Sequence, residues 1–196
     1  MPSVAAHMAV AKILSEKLNK NTPDFFRGNL LPDIKAGDMV DTHFKVQGDH
    51  FMVTDVNEAK KNLVLTEDLD LGYFTHLLLD KLFLEEYIPK YIDRYDLFKT
   101  KEMYQDYDKV SFDIVSYFGI DVESLSEILV DNYNCDINME KLETNIRCLN
   151  KKEISDGKYL KKEDFKKFLE YAAERIYEEV KVYKSKHSEP NYYYSK

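Results

Sequence analysis

The sequence has few of the residues that mark disulfide-rich, zinc-thiolate or membrane-spanning proteins. Its two cysteines, Cys135 and Cys148, form no CxxC pair, so neither a disulfide framework nor a thiolate zinc site is indicated. No stretch approaches the roughly 20 apolar residues that span a bilayer, and "MPSVAAHMAVAKIL" lacks the charged leader of a signal peptide. We therefore expect a cytoplasmic protein without a transmembrane segment.

Acidic residues outnumber basic residues. The chain carries 28 basic against 36 acidic residues, a net charge of -8, and has no long basic block. Duplex nucleic acid and anionic membranes attract clustered positive charge, so we expect no duplex nucleic acid partner. The absence of GxxxxGK[ST], GxGxxG and GxSxG patterns removes the common nucleotide-loop and serine-hydrolase functions. The oligomeric state stays open.

Helix breakers are few as well. Six glycines and five prolines in 196 residues, with apolar residues repeating near every 3.6 positions, predict an all-α, single-domain bundle of about six to eight helices. We expect one metal-binding domain over residues 1–186 and a flexible tail over 187–196. Residues 29–56 have no persistent period and are interpreted as an ordered loop region. The predicted helices are 4–18, a short one from Pro23 that Gly28 ends, a central one from Asp68 or Asp70 to about Tyr87, and 105–118, 122–130, 138–150 and 162–184.

The central helix contains an unexpected polar pair. In "LGYFTHLLLDKLFLEEYI" (71–88), His76 and Asp80 lie one helical turn apart among leucines and phenylalanines, so their side chains share one face. Burying such a pair without partners costs several kcal/mol. Two explanations stay open: hydrogen bonds within the core, or half of a metal site.

Other imidazoles and carboxylates precede this pair. His7 lies in the first apolar helix among small residues, Asp33 follows Pro32 on a predicted turn, and "DMVDTHF" adds Asp41 and His43. Each has an ordinary structural explanation, because turn aspartates usually cap their own backbone. Together they supply the mixture of ligands that zinc and other first-row divalent ions accept. The candidate metal ligands are His7, Asp33, His43, His76 and Asp80.

Four short segments that contain these residues resemble the zinc-dependent phospholipase C family. The all-helical fold of this family is shared with the fungal single-strand-specific nucleases. The resemblance lies in the order and context of "AHMAV", "FFRGNLLPDI", "DTHF" and "GYFTHLLLD", over roughly residues 3–81, and the last block is the most specific. It implies that Asp33, His43, His76 and Asp80 surround one metal. It also implies that Asp80 bridges toward a second metal held partly by His7.

The resemblance carries an expected activity with it. It implies a metal-dependent phosphoesterase that hydrolyses phosphodiesters with a metal-activated water, with Asp33 as the general base. The expected cofactor is Zn2+, one or two ions per chain, with Mn2+, Fe2+ or Ni2+ as alternatives. The expected substrate is a small phosphoester or a phospholipid head group, and the sequence does not choose between lipid and nucleotide.

The sequence also departs from the family. Three-metal members have two further histidines and a glutamate after the last block, whereas residues 81–186 here contain no histidine, so a third site is absent or differently built. Glu85 and Glu86 are interpreted as surface charge. Two alternatives remain: an HD-type metal phosphohydrolase, although no His-Asp dipeptide occurs, and a non-catalytic helical protein with a structural metal.

Overall fold

The computed structural model describes residues 2–48, 52–92, 97–130, 137–150 and 155–187. In that part of the chain the fold is all-α, as predicted, with ten α-helices and one small antiparallel hairpin. None of the described helices combines the length and apolar character needed to cross a bilayer. The elements are α1 (Val4–Leu18), α2 (Pro23–Ile34), α3 (Met39–Thr42), β1 (Lys45–Gln47), β2 (Met52–Thr54), α4 (Val56–Asn62), α5 (Asp68–Leu82), α6 (Leu97–Gln105), α7 (Tyr107–Tyr117), α8 (Val122–Val130), α9 (Met139–Leu149) and α10 (Lys162–His187).

Helix α1 lies in the centre of the bundle. Ser3 caps its N-terminus, because the Ser3 hydroxyl accepts a hydrogen bond from the Ala6 amide. Small side chains along the helix, including Ala5, Ala6 and Ala9, are fully buried and allow α2, α5, α7, α9 and α10 to pack against it. A histidine on this helix is therefore enclosed by other helices rather than exposed to solvent.

Helices α2 and α5 cross in backbone contact at two glycines. A Cβ atom added to Gly28 would lie 1.9 Å from the carbonyl oxygen of Leu69, and one added to Gly72 would lie 2.1 Å from that of Phe25. Only glycine permits this approach. The prediction that Gly28 ends a short helix is therefore wrong: α2 continues through Gly28 and Pro32 to Ile34.

The predicted loop region 29–56 is also largely wrong. It contains the second half of α2, the short α3 and the hairpin in which Val46 pairs with Val53. Asp33 consequently lies in the last turn of a helix and not on a free turn. Helices α4 and α6, of seven and nine residues, were not predicted.

The central helix begins at Asp68, within the predicted range, but its α-helical geometry ends at Leu82. A π-helical turn (Phe83–Tyr87) and a 3-10 turn (Ile88–Lys90) follow, and the second contains Pro89. His187, predicted to belong to the tail, is the last residue of α10, and residues 188–196 lie outside the described residues.

Candidate metal centre

The five predicted ligands come together from different parts of the chain. His7 lies on α1, Asp33 on α2, His43 directly after α3, and His76 and Asp80 on α5. His43 Nε2 lies 3.3 Å from Asp33 Oδ1, 3.4 Å from His76 Nε2 and 3.7 Å from Asp80 Oδ2. His76 Nε2 lies 3.9 Å from Asp33 Oδ1 and 3.7 Å from Asp80 Oδ2. Two nitrogen and two oxygen atoms therefore surround one small volume.

The protein fixes the orientation of His76. Its Nδ1 lies 2.7 Å from the backbone carbonyl of Asn29, which can only accept a hydrogen bond, so Nδ1 carries the proton and Nε2 keeps its lone pair. Burial and the neighbouring His7 lower the pKa of His76 to about 3, so the ring is neutral at neutral pH. A neutral imidazole whose second nitrogen is held by a carbonyl is the usual state of a metal ligand.

His7 and Asp80 are buried without hydrogen bonds. The His7 ring stacks on that of His76, with centroids 3.7 Å apart, and His7 Nε2 lies 3.4 Å from Asp80 Oδ1. Neither ring nitrogen of His7 and neither carboxylate oxygen of Asp80 has a hydrogen-bond partner among the described residues. Buried polar atoms are normally paired, because leaving them unpaired costs free energy. Four such atoms in one place are available as ligands to a bound ion.

The charge of the cluster points to a cation. Burial alone would raise the pKa of Asp80, but the charges of His76 and His7 in their protonated forms outweigh it and hold that pKa below its ordinary value. The direction of this shift favours the ionised form of Asp80 at neutral pH. A buried carboxylate that accepts no hydrogen bond from the described residues is a favourable ligand for a cation.

The spacing of the cluster fits a divalent metal. Zinc binds histidine nitrogen and carboxylate oxygen at about 2.0–2.2 Å, so tetrahedral ligand atoms lie about 3.4 Å apart, close to the separations given above. Two overlapping groups satisfy the distances of a metal site, His7–Asp33–His76 and His43–His76–Asp80. Since His76 has one free nitrogen, it can serve only one ion. The buried cluster is thus able to hold a metal ion.

The two oxygens of Asp80 face different imidazoles. Oδ1 faces His7, whereas Oδ2 faces His43 and His76. Each oxygen therefore has different imidazole neighbours, and His7 lies to one side of the four-atom group.

Further residues hold the His43 segment, and sequence reasoning missed them. The Tyr73 hydroxyl donates to the backbone carbonyl of Thr42, and the Thr42 hydroxyl lies 3.0 Å from His43 Nδ1. Phe44 adopts a left-handed conformation with φ of 47°, which is uncommon for a bulky residue. The chain turns sharply at this point, because Phe44 must join the hairpin while His43 points into the cluster.

One side of the cluster reaches the surface. Asp33 is 14% exposed, whereas His7, His43, His76 and Asp80 are essentially fully buried. Asp33 lines a cavity of about 590 Å3, and none of the other four ligands does. A cavity of this size suits a small ligand. Asp108, Glu140 and Lys141 also line this cavity.

Two carboxylates that the sequence analysis named, Asp41 and Glu86, lie away from the cluster. Asp41 is exposed, and Glu86 pairs with Arg175 at 3.4 Å and accepts a hydrogen bond from Tyr171 of α10, as expected of a surface charge. His50 and Cys135 lie outside the described residues.

Comparison of the chain with known family models, curated proteins and solved structures gave no match. The resemblance to the phospholipase C family therefore rests on the four quoted motifs and stays a prediction. The contacts and charges described above do not depend on it.

Proposed function

We propose that this protein is a metal-dependent phosphoesterase that hydrolyses phosphodiesters, with a phospholipase C-like metal centre. The observation that carries the proposal is the pair of unbonded, buried Asp80 oxygens, which face three imidazoles beside a cavity. This geometry supports a bound cation. The phosphoesterase chemistry rests in addition on the resemblance of the four motifs to the phospholipase C family.

Four side chains hold the first ion in this proposal: Asp33, His43, His76 and Asp80. His7 and the second oxygen of Asp80 supply ligands toward another. Zn2+ is the preferred cofactor, because its usual ligands are histidine nitrogen and carboxylate oxygen, and the same atoms accept Mn2+, Fe2+ or Ni2+. When bound, the metal supplies positive charge that acidifies water and neutralises phosphate oxygens.

Asp33 has the proposed role of general base. It is the ligand that reaches the cavity, and the positive charge that His76 carries when protonated, with the hydrogen bond from His43, lowers its pKa despite the opposing effect of burial. Its carboxylate is therefore ionised at neutral pH and able to accept a proton from a water molecule in the cavity. Asn29 and Thr42 act indirectly, since they orient the rings of His76 and His43.

A non-catalytic role for the metal is the second candidate. The cluster joins α1, α2, the segment after α3 and α5, and four of its five side chains are buried, which also suits an ion that clamps these elements together. The exposed edge of Asp33 favours catalysis, because a purely structural zinc site is normally closed.

Two measurements test the proposal. Elemental analysis should find at least one divalent transition metal per chain in protein as purified or after reloading. Bis(4-nitrophenyl) phosphate should be hydrolysed, with turnover lost on chelation and restored by metal. Stoichiometric metal without hydrolysis of any ester in a panel of lipids, nucleotides and chromogenic esters would favour the structural role. Absence of metal binding would overturn both roles.

A further inference from the structure

The cavity beside Asp33 has an unfavourable charge for an anionic substrate. Asp33, Asp108 and Glu140 all line it. One divalent ion would balance the charges of Asp33 and Asp80, which leaves no excess positive charge for an incoming phosphate. A side-chain cation at the mouth of the metal centre would therefore favour binding of a phosphate group, and most strongly when the cluster holds a single ion.

Lys141 is the one lysine or arginine among the described residues that line the cavity. It is half-buried, and no carboxylate in the described part of the chain pairs with its ammonium group. Two other lysines are paired with carboxylates. Lys109 Nζ lies 3.3 Å from Asp106 Oδ1, and Lys158 Nζ lies 2.8 Å from Glu102 Oε2. An unpaired lysine at a cavity with a candidate metal ligand is available to an anion.

The position of Lys141 is coupled to that of Asp33. Lys141 lies in the first turn of α9, where its backbone amide donates to the capping side chain of Asn138. The Asn138 amide in turn donates to the backbone carbonyl of Ile34 at 2.8 Å, and Ile34 directly follows Asp33. Backbone hydrogen bonds therefore tie the start of α9 to the end of α2, so both side chains face the cavity from connected segments.

We infer that Lys141 binds a non-bridging oxygen of the substrate phosphate and that the cavity takes a singly charged phosphodiester. This inference rests on the proposed function and adds to it a substrate-binding residue and a preference for diesters over monoesters. One ammonium group matches one negative charge, whereas Asp108 and Glu140 repel the second charge of a phosphomonoester.

The test compares Lys141→Gln with Lys141→Arg and with Lys12→Gln in zinc-loaded protein. Lys12 is a matched control, because it is a half-buried lysine on α1 that lies 4.0 Å from Glu16 and does not line the cavity. We expect Lys141→Gln to raise KM for bis(4-nitrophenyl) phosphate about tenfold with kcat nearly unchanged, since a hydrogen bond to a charged group is lost. Lys141→Arg should recover most of the affinity, and Lys12→Gln should behave like the wild type.

Calorimetric titration with dimethyl phosphate gives a readout that needs no turnover. The wild type should bind dimethyl phosphate more tightly than methyl phosphate, and Lys141→Gln should weaken dimethyl phosphate binding about tenfold with an unchanged melting temperature. If the wild type hydrolyses no ester but this dependence on Lys141 is found, the anion site stands and the phosphoesterase proposal fails. Unchanged affinity in Lys141→Gln, an equal loss in Lys12→Gln, or no binding of dimethyl phosphate by the wild type would overturn the inference.

Discussion

Asp80 and Asp106 are both buried carboxylates, but the protein treats them in opposite ways. Asp106 Oδ2 accepts hydrogen bonds from the backbone amides of Tyr159 at 2.7 Å and Leu160 at 3.2 Å, and Lys109 lies 3.3 Å from its Oδ1. Asp80 has no hydrogen bond to any described residue. The backbone thus supplies hydrogen-bond donors to Asp106, whereas no described residue supplies one to Asp80.

The pKa values of the two groups are lowered for different reasons. For Asp106, burial acts to raise the pKa, and the amides of Tyr159, Lys158 and Leu160 outweigh it. These donors are permanent parts of the backbone. For Asp80, the opposing groups are imidazoles, which lose their positive charge when they act as metal ligands. The groups that lower the pKa of Asp80 are therefore themselves candidate metal ligands, whereas those that lower the pKa of Asp106 are not.

Removal of each carboxylate gives the sharpest test of this contrast. Asp80→Ala and His76→Ala should each abolish stoichiometric metal binding and all turnover, with a loss of affinity above about 100-fold, because a direct ligand matters more than a supporting residue. Asp106→Ala should keep full metal content and lower the free energy of unfolding instead. Metal content and thermal melting of the same samples measure both effects.

Two histidine variants serve as controls for these measurements. His187→Ala, at the end of α10, and His50→Ala, outside the matched motifs, should leave metal binding nearly intact. If His50→Ala were as damaging as His76→Ala, the choice of His43 as the ligand from this segment would be wrong.

Asp33 is a carboxylate of intermediate exposure, and its replacement tests a different role from that of Asp80. Asp33→Asn keeps one oxygen for coordination but cannot accept a proton at neutral pH, so turnover should fall about 100-fold or more while metal is retained. Glu170→Gln, on the exposed face of α10, is the surface control. Loss of metal in Asp33→Asn would make Asp33 chiefly a ligand and leave the base unidentified.

The α2–α5 crossing predicts an effect on both stability and metal binding. Gly72→Ala should destabilise the protein by about 3 kcal/mol, because the new methyl group would displace the Phe25 carbonyl and separate the two helices. Metal affinity should fall with it, since Asn29 would no longer hold His76. Gly119→Ala is the matched control: no atom lies within 4 Å of its added Cβ, and its positive φ alone should cost about 1 kcal/mol. Urea unfolding and zinc titration of both variants provide the comparison.

The sequence was sufficient for some of these features and insufficient for others. Helical periodicity placed α1, α8 and α9 nearly at their observed bounds, and the spacing of His76 and Asp80 predicted their shared face. The meeting of His7, Asp33 and His43 was expected only from the motif resemblance, because helical spacing does not relate residues on separate elements.

Other features depend on tertiary contacts that local sequence does not encode. Gly28 and Pro32 were interpreted as helix breakers, whereas packing against α5 keeps both inside α2. The partner of His76 Nδ1 is a backbone carbonyl, and a backbone atom has no signature in residue type. The left-handed Phe44 was missed because glycine or asparagine usually marks such a position.

The smallest expected effect concerns Asp106 and acid. Its pKa in the folded protein lies below its ordinary value, so its ionised form stabilises the fold above about pH 4, and this contribution is lost as the pH falls through the folded-state pKa. Asp106→Asn should lower the free energy of unfolding by about 1–2 kcal/mol at neutral pH, because the charged acceptor of these hydrogen bonds becomes neutral. The variant should then lose less stability than the wild type between about pH 4 and pH 2.

Both proteins are compared as metal-free samples, since protonation of the metal ligands would otherwise dominate the acid transition. Equal slopes of unfolding free energy against pH in that range would show that Asp106 does not differ from an ordinary exposed carboxylate, and the contrast with Asp80 would then rest on metal binding alone.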